Sequence, residues 1–115
     1  MNILLIIKSS PRSNSASRRM TAHFAKEWKA KHPQTCIIER DLKTDALPFL
    51  TESWIQATYT PAVQRTPQQQ QALTLSDTLI AELMAADVIV LEVPMHNFSI
   101  PANLKAWFDL VARVG

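Results

Sequence analysis

Glycine is almost missing from this 115-residue chain: the one glycine is Gly115. Glycine-rich loops let the backbone approach the phosphates of dinucleotides and nucleoside triphosphates closely. Its absence therefore removes both the G-x-G-x-x-G and the G-x-x-x-x-G-K-[ST] patterns. Cysteine is equally scarce, and a single Cys36 cannot build a disulfide framework or a cysteine metal cluster. Set among apolar residues in a strand-like stretch, Cys36 reads as a small buried hydrophobe. No apolar run approaches the ~18 residues of a membrane span, and the N-terminal run Ile3 to Ile7 is too short for a signal-peptide core. A membrane partner is not expected, and the cytoplasm is the default location. Charge of one sign is also lacking: 12 Lys and Arg face 10 Asp and Glu. The basic residues between Lys8 and Lys43 are interleaved with Glu27, Glu39 and Asp41, which leaves no basic stripe for a nucleic-acid partner.

What is present is globular composition, 47% hydrophobic and 19% charged, in a length that suits one domain. The run Ile3 to Ile7 predicts a strand covered on both faces, as in a parallel sheet. Met20, Phe24, Ala25 and Trp28 recur at helical spacing up to about Lys31, where His32-Pro33 stops the helix. Residues 35–41 (TCIIERD) predict a second strand. Residues 42–65, with Pro48 and Pro61, read as an excursion holding no more than a short helix near 52–58. Thr66-Pro67-Gln68-Gln69 carries a capping threonine, a proline at the first helical position and a glutamine at the third, which is a capping box. Leu73, Ser76, Leu79, Ile80, Leu83 and Met84 then mark one helical face. Residues 88–93 predict a third strand, and 102–113 a last helix with Leu104, Phe108 and Val111 inward. Strands alternating with helices predict an α/β fold, a parallel sheet with helices on both faces. Ligands of such sheets sit beyond the carboxyl ends of the strands.

Two loops occupy those ends. The first, KSSPRSNSASRR (8–19), places Ser9, Ser10, Ser13, Ser15 and Ser17 between a strand and a helix. A helix start offers unpaired N–H groups and the positive end of the dipole, serines add donors, and Arg18 and Arg19 add charge. A hydroxyl-lined monophosphate site fits this pattern, and so does a serine-rich turn with an ordinary cap. The second loop spans 94–101, stiffened by Pro94 and Pro101. Met95 and Phe98 offer polarizable or flat apolar surface, and Asn97 both donates and accepts. It suits a planar, heteroatom-edged ring. Core packing of Met95 and Phe98, with His96 exposed, fits the pattern as well.

Taken together, LLIIKSSPRSNSAS and above all PMHNFSIPANLKAWFD (94–109) resemble the FMN-dependent NADH-azoreductase family of flavodoxin-like quinone reductases. The resemblance runs over essentially the whole chain and is loosest at 45–60. It implies a flavodoxin-like three-layer parallel sheet, here a partial version with about three strands, forming a single incomplete FMN-binding domain over 1–115. It further implies that Ser10 and Ser15-Ala16-Ser17 bind the FMN phosphate, and that Met95, His96, Asn97 and Phe98 flank the isoalloxazine ring. The implied reaction passes a hydride from NADH to FMN and then reduces a quinone or azo substrate. The flavin carries that chemistry, so no catalytic side chain is named. A homodimer is implied for the full-length form.

The chain departs from the family pattern in three ways. His96 stands where tyrosine is usual, the phosphate loop has no glycine, and family chains run to about twice this length. The resemblance therefore implies an N-terminal part whose third strand has an open, apolar edge and which can be inactive alone. Readings from other classes are a flavodoxin-like electron carrier, against which the slightly basic charge counts, and a non-catalytic remnant.

Overall fold

A computed structural model describes residues 2–95 and 99–113. The elements follow in the order β1 (Ile3–Lys8), α1 (Ala16–Lys31), β2 (Cys36–Asp41), α2 (Glu52–Tyr59), a 3-10 turn (Ala62–Gln64), α3 (Pro67–Ala72), α4 (Thr74–Ala85), β3 (Val88–Glu92) and α5 (Ala102–Val111). The sheet has the order β2-β1-β3, and both pairings are parallel.

The apolar run explains the layering. Leu4, Leu5, Ile6 and Ile7 are all buried, as a central strand covered on both faces requires. Leu5 and Ile7 join Leu42, Leu79, Leu104, Trp107 and Leu110 in one core, so α4 and α5 cover that face. Leu4 and Ile6 point the other way by the two-residue period of a strand. Val90, the register partner of Ile6, shares that face, and there α1 lies against β3. Lys8, the last residue of β1, stands opposite Asp41 on one side and Glu92 on the other. Three strands thus deliver charged residues to one end of the sheet.

Local signals account for the helix ends. Ser15 caps α1, its Oγ accepting the Arg18 N–H at 3.1 Å, and Lys29 and Lys31 complement the dipole in the last turn. The capping box at Thr66 forms in both directions: Gln69 N–H donates to Thr66 Oγ1 (3.2 Å) and Thr66 N–H to Gln69 Oε1 (3.0 Å). The helix it starts does not run straight through. It is interrupted at Leu73, with φ −92° and ψ −2°, so α3 and α4 are separate helices with that buried leucine at their junction. The face expected for α4 is buried at Leu73, Ser76 and Leu79 but ends before Met84, which is exposed.

The expected burial of Cys36 is corrected. Cys36 is exposed rather than buried, because it opens β2, an edge strand that pairs only with β1 among the described residues. Met20 and Phe24 keep their helical spacing but lie outward, 73% and 39% exposed, while the buried positions of α1 are Arg18 and Thr21. They border an open groove that also touches Val90. The third strand does have an open edge: β3 pairs only with β1 among the described residues, and Ile89 and Leu91 are 42% and 40% exposed. No helix of the described residues is long and apolar enough to cross a membrane.

Candidate functional site

The serine loop begins where β1 ends and closes on the first turn of α1. Its hydroxyls form a directed chain. Ser10 Oγ–H donates to Ser15 Oγ at 2.7 Å, and the Arg18 N–H donates to the same oxygen at 3.1 Å. With two bonds accepted, Ser15 has only its proton left to give, and Ser17 Oγ lies 3.2 Å away. Ser17, half-buried at the end of the chain, is left with its own O–H to offer outward. The first-turn N–H groups of Ala16 and Ser17 have no acceptor within the helix. Ser10, Ser15, Ala16 and Ser17, expected together from the sequence, are therefore brought together, with donors converging at a helix N-terminus.

Arg18 has a different place from the one expected. The sequence pattern offers it as nearby positive charge for an anion; instead its guanidinium is buried and hydrogen-bonded on both sides. Nη1 and Nη2 each donate to the Asp41 carboxylate at 2.9 Å. Nε and Nη2 also donate to the Ser10 carbonyl at 3.2 and 2.6 Å. The hydrogen bonds from Arg18 hold the Asp41 carboxyl below the usual carboxylate range, against the opposing effect of burial. The Asp41 hydrogen bond likewise raises the arginine, with burial opposing and the charges of Asp41 and Glu92 adding to the rise. Arg19 lies on the exposed rim, donating to the Asn14 carbonyl and side chain at 3.1 and 3.2 Å.

Glu92 closes the base of the loop. It is 2% exposed; its Oε1 accepts the Ser10 N–H at 3.1 Å and lies 3.9 Å from Arg18 Nε. Its Oε2 is buried with no hydrogen-bond partner among the described residues. Asp41 and Glu92 were not expected at the site. A lone carboxylate in the apolar run 88–93 was the available signal, since a buried charge requires a partner.

The second loop meets the first. Ser9 Oγ–H donates to the Glu92 carbonyl, and Asn103 Nδ2 donates to the Ser9 carbonyl at 3.0 Å. These bonds tie β1, β3 and the start of α5 together. An open cavity of about 810 Å³ lies between the loops, lined by Pro11, Ser99, Ile100, Pro101 and Asn103 among others. Met95 is exposed after β3 rather than packed in the core. His96, Asn97 and Phe98 lie outside the described residues. No group of three or more His, Cys, Asp or Glu that could hold a metal occurs among the described residues.

The chain is similar to known proteins. An FMN-dependent NADH:quinone oxidoreductase of Herminiimonas arsenicoxydans is 50% identical to the chain, over 100% of this chain and 57% of that protein. FMN-dependent NADH:quinone oxidoreductase 1 of Hahella chejuensis is 48% identical over 96% of this chain and 54% of its own length. The crystal structure of an azoreductase from Bacillus anthracis superposes with a TM-score of 0.89 at 26% identity, covering 100% of this chain and 57% of that one. The chain thus spans little more than half the length of the relatives it matches. A family model described as a flavodoxin-like fold matches residues 1–115, and the chain belongs to that family.

Proposed function

We propose that this chain supplies the FMN-binding part of an NADH:quinone oxidoreductase that also reduces azo compounds. The observation that carries the reading is the convergence of the Ser10, Ser15 and Ser17 hydroxyls at the N-terminus of α1. A hydroxyl cluster with free helix N–H groups and no glycine suits a compact phosphate monoester, which FMN carries. Relatives named as FMN-dependent NADH:quinone oxidoreductases, at up to 50% identity, support the same reading.

In this proposal the phosphate is held by Ser10, Ser15, Ser17 and the Ala16 N–H. Met95, His96, Asn97 and Phe98 flank the ring across the cavity between the two loops. When bound, FMN supplies the hydride chemistry, accepting from NADH and delivering electrons to a quinone or azo bond. The chain contributes binding and orientation: serine donors anchor one end of the cofactor, and the loop between Pro94 and Pro101 takes the other. The homodimer and the cytoplasmic setting implied by the family resemblance belong to this proposal.

The test is flavin titration of the purified protein, followed by NADH oxidation with a benzoquinone and with an azo dye. Saturable FMN binding and quinone-dependent NADH consumption are expected. Absence of FMN binding by folded protein overturns the reading. FMN binding without NADH oxidation replaces the enzyme with an electron carrier.

A further inference from the structure

We propose that Glu92 and Arg18 are positioning residues of the anion site, doing for this loop what glycine does in other phosphate loops. The inference rests on the phosphate reading given above and adds residues that the reading did not contain. Phosphate loops commonly use glycine so that backbone amides can crowd around the anion. The only glycine here is Gly115, far along the chain from the loop.

The Ser10 backbone is instead gripped from both sides. Its N–H donates to Glu92 Oε1 at 3.1 Å, and its carbonyl accepts two bonds from Arg18, at 3.2 and 2.6 Å. Both peptide groups of Ser10 are thereby fixed, which sets the direction in which its hydroxyl donates to Ser15 Oγ. That hydroxyl feeds the chain through Ser15 to Ser17. The Arg18 N–H also holds Ser15 Oγ, so one residue sets the backbone of Ser10 and the hydroxyl of Ser15.

Charge placement gives the device its cost and its specificity. Glu92 is buried and reaches Arg18 at 3.9 Å, while Asp41 holds the outer side of the same guanidinium. Arg18 is thus balanced by two carboxylates and is not available to an anion as charge. Its effect on a phosphate is transmitted through the orientation of the serines. A residue that acts in this way changes the recognition of the phosphate and leaves recognition of the ring alone.

Comparison of FMN with riboflavin, which lacks the phosphate, separates the two. The measurement is flavin fluorescence quenching on the purified protein and its variants, with folding checked by circular dichroism. The wild-type protein is expected to prefer FMN. Glu92→Ala is expected to weaken FMN at least about tenfold, the fold-change of one lost charge-assisted hydrogen bond, with riboflavin affinity unchanged. Glu92→Gln keeps an acceptor for the Ser10 N–H and should restore most of the preference. Arg18→Lys keeps the charge but loses the fork, and should lower the FMN-to-riboflavin ratio. If Glu92→Ala does not fold, the Arg18→Lys ratio decides. An unchanged ratio in the folded variants, or an equal loss of both flavins, overturns the positioning role. A wild-type protein that binds both flavins equally overturns the phosphate reading itself.

Discussion

Asp41 and Arg18 are joined by a pair of 2.9 Å hydrogen bonds between the ends of β2 and α1. The pairing fixes the charge state of the carboxylate, whose pKa lies below its unfolded value because Arg18 favours the ionised form. A group depressed in this way adds stability that is complete above its unfolded pKa of about 3.9 and is lost as pH falls through the lower folded value. Asp41→Asn should therefore destabilise the protein at pH 7 and differ little from wild type in strong acid. The neutral-pH loss is expected toward the low end of about 1–3 kcal/mol, because the Asp41 side chain is 25% exposed. Urea melts at pH 7 and near pH 3 check it: the difference should already be smaller at the lower pH, and an equal difference at both would assign the effect to packing.

The hydroxyl chain has a direction, and that ranks its members. Ser17 stands at its outer end and Ser10 at its buried start. Ser17→Ala removes the terminal donor and should weaken FMN by about 1–3 kcal/mol while barely changing stability. Ser10→Ala leaves Ser15 one donor short in a buried place and should lower both. Parallel flavin titrations and thermal melts distinguish the two variants, and equal stability losses would contradict the order.

How much of this was legible in the sequence depends on what each feature is made of. The strands and helices were readable because Ile3 to Ile7 and the Thr66 box are local patterns whose period and cap chemistry are self-contained. The serine cluster was readable for the same reason: Ser10, Ser15 and Ser17 lie within eight positions and need only a helix start to converge. Arg18 was misassigned because its partners come from other strands. Asp41 is 23 residues away, and Glu92 reaches the Ser10 amide across 82. Only the strand order β2-β1-β3 puts them on either side of Lys8. Cys36 is exposed where burial is expected because apolar neighbours in a strand do not say whether another layer exists to cover it.

The capping box offers a separate measure of local stability. Thr66→Ala removes the acceptor for the Gln69 N–H and breaks the reciprocal pair at the start of α3. A loss of about 1 kcal/mol in a denaturant melt is expected. The change should leave flavin affinity untouched, since α3 contributes no residue to the serine site. A fall in FMN binding would show that α3 and the anion loop are coupled.

The outer edge of β3 is open among the described residues. Ile89 and Leu91 are 42% and 40% exposed, and Val93 beyond the strand is 43% exposed. A parallel strand with apolar side chains and unpaired backbone groups on one side is a template for another strand. A polypeptide of residues 1–115 should therefore associate through this edge at micromolar concentration. Ile89→Lys and Leu91→Lys together place charge on the edge without touching the serine loop, which meets β3 at Glu92. They should shift the polypeptide toward monomer in analytical ultracentrifugation while preserving its circular dichroism. Association through another surface would leave the distribution unchanged. The outward face of α1 is the alternative such a result would point to, because Met20 and Phe24 border the groove against Val90. Met20→Lys would then produce the shift that the β3 substitutions did not.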